Sequence, residues 1–106
     1  MALPNGTTTI GSYAFANSSI ENIALPDSIT TIDDRAFNGA KQLKLTTLPA
    51  NLTSLGIGSF ASCSNITIAD LPSGITKIPL QCFALCPNLK ITQLGGPNFT
   101  ALEIDS

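Results

Sequence analysis

The stretch Leu48–Asp70, LPANLTSLGIGSFASCSNITIAD, recurs on both sides of itself at a fixed spacing. It reads LPDSITTIDDRAFNGAKQLKLTT over Leu25–Thr47 and LPSGITKIPLQCFALCPNLKITQ over Leu71–Gln93. These three copies have 23 residues each and align without a gap; an imperfect copy of 22 residues, Leu3–Ala24, precedes them, and a partial one, Leu94–Ser106, follows. Apolar residues recur in fixed registers. Leu25, Leu48 and Leu71 each precede a proline, and Ile29, Leu52 and Ile75 follow at the fifth position. Ile32, Leu55 and Ile78 come at the eighth, Phe37, Phe60 and Phe83 at the thirteenth, Leu43, Ile66 and Leu89 at the nineteenth, and Leu45, Ile68 and Ile91 at the twenty-first. One copy holds too few such residues to form a core of its own, whereas stacked copies turn each register into a continuous ladder. The expected fold is a β-rich, right-handed solenoid of about four turns, spanning repeats 3–24, 25–47, 48–70 and 71–93 in a single domain over 1–106.

Within a copy, the alternating runs Leu43-Lys-Leu45, Ile66-Thr-Ile68 and Leu89-Lys-Ile91 have the two-residue period of a strand buried on one face. They predict one short parallel strand per turn. A second apolar pair three residues apart (Ile29/Ile32, Leu52/Leu55, Ile75/Ile78) follows the Leu-Pro corner and reads as a second extended segment. Around the phenylalanine, as in Gly58-Ser-Phe-Ala-Ser-Cys63, the pattern fits a helical or 3₁₀ turn on the opposite side. The prolines fix φ at corners where no ladder hydrogen bond is needed.

The pattern Leu-Pro-x-x-Ile/Leu-Thr-x-Ile/Leu-x4-Phe-x2-Cys-x2-Leu/Ile resembles the BspA-type leucine-rich repeat over residues 3–93. The cysteine register is filled by Cys63 and Cys86 and departs to Ala40 and Ser18 in the earlier copies, where another small residue serves the same packing. The resemblance implies a non-catalytic binding or adhesion module of a bacterial or protozoan cell-surface protein. It also implies protein partners, in the host matrix or on another cell. The chain starts on a repeat boundary with neither a charged leader nor an apolar one, and no polar cap is apparent at Leu3. A fragment of a longer array is therefore expected, with its signal peptide and anchor elsewhere. Thr7 sits in an apolar register of the first copy, and Gly95-Gly96-Pro97 breaks the last Leu-Pro corner. The tail 94–106 reads either as another corner with an extended segment or as a strand folded over the last turn.

Several functions are disfavoured by composition. Net charge is −2, and the basic residues Arg35, Lys41, Lys44, Lys77 and Lys90 are dispersed, which leaves no cluster to displace counterions from nucleic acid. No apolar run approaches the length needed to span a bilayer, so membrane insertion is not expected. Histidine is absent, which removes Ser-His-Asp and Cys-His devices, and no phosphate-binding glycine loop occurs. No catalytic residue, cofactor site or metal site is expected, and the chain does not read as an enzyme.

Cys63 and Cys86 share one register, so stacking brings their Cα atoms to about the 4.7–4.9 Å separation of neighbouring strands. Their Cβ vectors then run parallel rather than converging, and the geometry favours free buried thiols over a disulfide. Cys82-x3-Cys86 is half a zinc motif without further ligands. Asp33-Asp34 reads as a turn with capping ability. The Asn-x-Ser/Thr triplets at Asn5, Asn17, Asn51, Asn65 and Asn98 read as products of an Asn, Ser and Thr-rich composition.

What remains is a surface. The outward positions of the alternating runs are Lys44 and Thr46, Thr67 and Ala69, Lys90 and Thr92, with Gln42, Asn65 and Asn88 along the edge. In leucine-rich repeats such a face is the usual recognition surface, which makes these residues the candidate binding face. The alternative is a stiff spacer or a segment that self-associates end to end.

Overall fold

The computed structural model describes residues 3–68 and 71–89, together with the backbone of a short strand at 101–102. Among the described residues, five two-residue strands follow in chain order: β1 (Thr9–Ile10), β2 (Thr31–Ile32), β3 (Ser54–Leu55), β4 (Lys77–Ile78) and β5 (Ala101–Leu102). All pairing between these strands is parallel. β1, β2 and β3 form one sheet with Thr9 opposite Thr31, Thr31 opposite Ser54, and Ile10, Ile32 and Leu55 in line; β4 pairs with β5 in a second sheet. β1 to β4 each follow a corner closed by the proline carbonyl, Thr7 N–H donating to Pro4 O at 3.2 Å before β1. Ile29 N–H donates to Pro26 O at 3.1 Å, Leu52 N–H to Pro49 O at 3.1 Å and Ile75 N–H to Pro72 O at 3.0 Å.

The strands thus lie on the Thr-x-Ile segment that the sequence reads as a secondary extension. They do not lie on the alternating run. Leu43–Leu45 and Ile66–Ile68 have the expected in-out burial, yet each run reaches the preceding copy through a single backbone bond, Lys44 N–H to Glu21 O at 2.8 Å and Thr67 N–H to Leu45 O at 3.0 Å. Leu43 N–H closes a turn on Ala40 O in its own copy, as Leu89 N–H does on Cys86 O. Leu89–Ile91 lies partly outside the described residues.

No helix forms around the phenylalanine among the described residues. A helix sends successive amides back along its own axis, whereas here alternate amides leave the copy. Arg35, Phe37 and Gly39 N–H donate to Ile57, Ser59 and Ala61 O of the next copy at 2.8–2.9 Å, and Ala36, Asn38 and Ala40 N–H close local turns on residues three back. The alternation requires a left-handed residue two before and two after each phenylalanine. Tyr13, Arg35, Gly58 and Gln81 (φ 55–61°) hold the first position, and Asn17, Gly39, Ser62 and Leu85 (φ 56–77°) the second. Such residues interrupt helical dihedrals.

Between the two sides runs the core. Ile29, Ile32, Phe37, Leu43, Leu52, Phe60, Ile66, Ile68 and Ile75 are nearly or fully buried, and the phenylalanines form a column. Phe15 stacks on Phe37 and Phe37 on Phe60 with ring centroids 5.2 Å apart; Phe60 and Phe83 are 5.7 Å apart, and all three pairs are within 11° of parallel. Offset aromatic stacking at this spacing adds about 0.5–1.5 kcal/mol per pair beyond area burial. The first copy is looser, as its sequence predicts. Thr7 in the apolar register turns its hydroxyl to Pro4 O at 2.8 Å, and Ile20 and Ile23 are only half-buried.

Candidate functional site

The alternating run projects its polar residues outward from a rigid apolar backing. Lys44, Thr46 and Thr67 are exposed, while Leu43, Leu45, Ile66 and Ile68 beneath them are buried. Lys44 and Thr67 occupy one register in successive copies, and the single backbone bond from each run to the copy before it holds the row together. Gln42, Asn65 and Asn88 border it as expected, with Asn88 Nδ2 donating to Ser64 O at 2.7 Å. Ala69, Lys90 and Thr92, the other predicted face residues, lie outside the described residues. Lys44 Nζ is 3.6 Å from Glu21 Oε1 with both side chains 61% exposed, a pair too solvated to contribute much stability.

A second polar row had no function assigned from sequence, although its threonine was visible in the Thr-x-Ile register. Thr8, Thr30 and Thr53 are exposed beside the strands, and their hydroxyls stitch the copies together. Thr30 Oγ1 donates to Thr8 O at 3.4 Å and Thr53 Oγ1 to Thr30 O at 3.2 Å. Between the two rows, two shallow cavities follow the Leu-Pro corner. One of about 220 Å³ is lined by Ile23, Leu25, Asp27, Leu45 and Leu48; the next, of about 300 Å³, is lined by Thr47, Leu48, Leu71 and Pro72.

Neither row carries reactive chemistry. Asp34 Oδ1 accepts the Ile57 N–H at 2.9 Å across the copy boundary, so it links two copies and caps no helix, in place of the helix-capping ability read from the sequence. Among the triplet asparagines, Asn51 Nδ2 donates to Asp27 O at 3.0 Å and Asn17 takes a left-handed corner; Asn98 lies outside the described residues. No group of three or more His, Cys, Asp or Glu able to hold a metal occurs among the described residues.

The cysteines are free thiols that point back onto the preceding copy. Cys63 Sγ donates to Phe37 O and Cys86 Sγ to Phe60 O, each at 3.0 Å, and Cys82 Sγ lies 3.2 Å from Ser59 Oγ. Burial pushes the Cys63 thiol up to about 12, helped by Cys86 nearby, and burial likewise pushes Cys82 up to about 12 against the lowering effect of Ser59. Cys86 is raised by burial too. These are poor nucleophiles at neutral pH.

A stability effect follows from those shifts. As pH rises from 9 towards 12, the unfolded chain sheds thiol protons that the folded chain retains, so stability is intact below 9 and falls above it. The limiting slope is about 1.4 kcal/mol per pH unit for each thiol. Urea midpoints at pH 8 and 10.5 are expected to drop accordingly, and the difference to shrink in a Cys63→Ala, Cys82→Ser variant.

No curated protein and no solved structure matches the chain. A family model described as a BspA type leucine rich repeat region of 6 copies matches residues 1–103. The Leu-Pro corners, Thr-x-Ile strands and phenylalanine column all fall within that span, and the chain belongs to the BspA-type leucine-rich repeat family.

Proposed function

We propose that the chain is a non-catalytic protein-binding module, a single-domain segment of a leucine-rich-repeat solenoid belonging to a larger cell-surface adhesion protein. Leucine-rich repeats in general mediate protein interactions and are not enzymes, and members of this family are typically surface proteins. No helix among the described residues is long and apolar enough to cross a membrane. One observation supports the reading above others. Lys44, Thr46 and Thr67 form a solvent-facing row on a buried apolar backing, which presents polar groups to a partner from backbone with little conformational entropy left to lose. Ala69, Lys90 and Thr92 extend the same row in the proposal, and a protein of the host matrix or of another cell surface is the partner.

The test is capture on immobilised matrix glycoproteins. Lys44→Glu with Thr67→Glu is expected to weaken capture about tenfold by introducing like-charge and desolvation penalties. The denaturation midpoint should barely move, since both side chains are exposed and surface changes stay within about 0.5 kcal/mol. Unchanged capture would remove this face. A spacer or an end-to-end assembling segment would be indifferent to the same changes.

A further inference from the structure

The repeat is regular, but its strand ladder is not. β1, β2 and β3 form one sheet and β4 belongs to another, so the ladder is interrupted between the third and fourth copies. The residue after each strand explains why. Asp33 N–H donates to Ile10 O at 2.9 Å and Gly56 N–H to Ile32 O at 2.7 Å, closing the first two junctions. The fourth copy has Pro79 in that register, and proline has no N–H to give to Leu55 O. An independent feature of the core agrees. The Phe60–Phe83 rings are 5.7 Å apart, against 5.2 Å for both earlier pairs.

We propose that the junction between the third and fourth copies is a built-in seam, which opens ahead of the rest of the molecule and uncovers the thiols of Cys82 and Cys86. Across the seam, Gly58, Phe60 and Ser62 N–H donate to Leu80, Cys82 and Ala84 O at 2.7–3.1 Å on the phenylalanine side, and Asn88 Nδ2 donates to Ser64 O at 2.7 Å; the phenylalanine-side bonds are the latch that the opening breaks. Cys82 Sγ faces Ser59, and Cys86 Sγ faces Phe60 O, both across the seam. Cys63 Sγ faces Phe37 O across the junction before it, which the opening leaves closed. Cys82 and Cys63 are equally hidden in the closed state, 1% and 0% exposed, so any difference in their reactivity reports opening rather than static accessibility. Cys86 is only half-buried and is the weaker reporter. Uncovering the hidden Cys82 beside the already half-exposed Cys86 would make this part of the array responsive to electrophiles.

The test is iodoacetamide labelling of the full chain, in which the thiolate displaces iodide, with each site quantified by peptide mass spectrometry. Rates are divided by those in denaturant to give a protection factor for each thiol. Cys82 is expected to be at least about fivefold less protected than Cys63, the equilibrium worth of one backbone hydrogen bond. Pro79→Ala restores the donor and should raise Cys82 protection by a similar factor while leaving Cys63 unchanged. Amide exchange in the unaltered chain gives a second measurement that does not depend on the variant folding. Phe60 and Ser62 N–H, which cross the seam, should exchange faster than Phe37 and Gly39 N–H, which cross the junction before it. Equal protection of Cys63 and Cys82, indifference of Cys82 to Pro79→Ala in a folded variant, or equal exchange of the two amide pairs would overturn the seam.

Discussion

Phe60→Ala is expected to lower the unfolding free energy by about 3–5 kcal/mol, a large share of the stability of a chain this size. Phe60 is fully buried at the centre of a four-ring column, with Phe37 on one side and Phe83 on the other. Truncation deletes both stacking contacts and leaves a void whose walls belong to three different copies. Those walls cannot collapse independently, because the neighbouring backbones are fixed by Phe37 N–H to Ser59 O and Phe60 N–H to Cys82 O, at 2.8 and 2.9 Å. The cost should therefore lie at the upper end of the range for a buried aromatic. Phe15→Ala, at the half-buried first ring, should cost clearly less, and urea denaturation of the two variants side by side checks the ordering.

Gly56→Ala is expected to cost about 3 kcal/mol, the upper part of the usual overpacking range. A Cβ at this position would run into the backbone of the adjacent copy, meeting Asp34 N and Asp33 C and lying 2.6 Å from Asp34 Cα. Backbone cannot rotate away as a side chain can. Any relief would also stretch the Gly56 N–H to Ile32 O bond that closes the sheet. The matched control is Gly11→Ala in the same register of the first copy, where nothing lies within 4 Å of the added carbon. There the substitution should be neutral or stabilise by up to about 1 kcal/mol, by restricting the unfolded chain. The two alanines, identical in chemistry, should thus shift the midpoint in opposite or sharply unequal ways.

Much of this architecture was legible in the residues. The period placed Phe37, Phe60 and Phe83 in one column and Leu25, Leu48 and Leu71 at proline corners, and the family match over residues 1–103 agrees with that reading. The in-out order of Leu43-Lys44-Leu45 and Ile66-Thr67-Ile68 was also correct. Assigning the strand to those runs was not. Alternation reports which side chains are buried, whereas a ladder depends on repeated backbone bonds along one edge, and each of these runs makes one to the copy before it. The expected helical turn failed for a related reason. Positive φ at Arg35, Ser62, Gln81 and Leu85 is disfavoured for these residue types, so propensity does not announce it; the bonds to the next copy impose it.

The candidate site was legible in the same partial way. Lys44, Thr46 and Thr67 project where the period put them, because an exposed register needs only the alternation. The threonine row at Thr8, Thr30 and Thr53 gained its meaning from the true position of the strands. The interruption at Pro79 is written in the sequence, but its consequence appears only once Asp33 and Gly56 are seen donating from the same register.

The most direct test of the stacked-copy account is residue-resolved hydrogen exchange of the folded chain. The account predicts strong protection at the amides that cross between copies, Phe15, Phe37, Asp33 and Gly56, with Lys44 and Thr67 the inter-copy donors of their runs and Leu43 protected through its own turn to Ala40 O. Protection spread along Leu43–Leu45 and Ile66–Ile68, with Asp33 and Gly56 exchanging freely, would place the ladder on the other side of the repeat and contradict it.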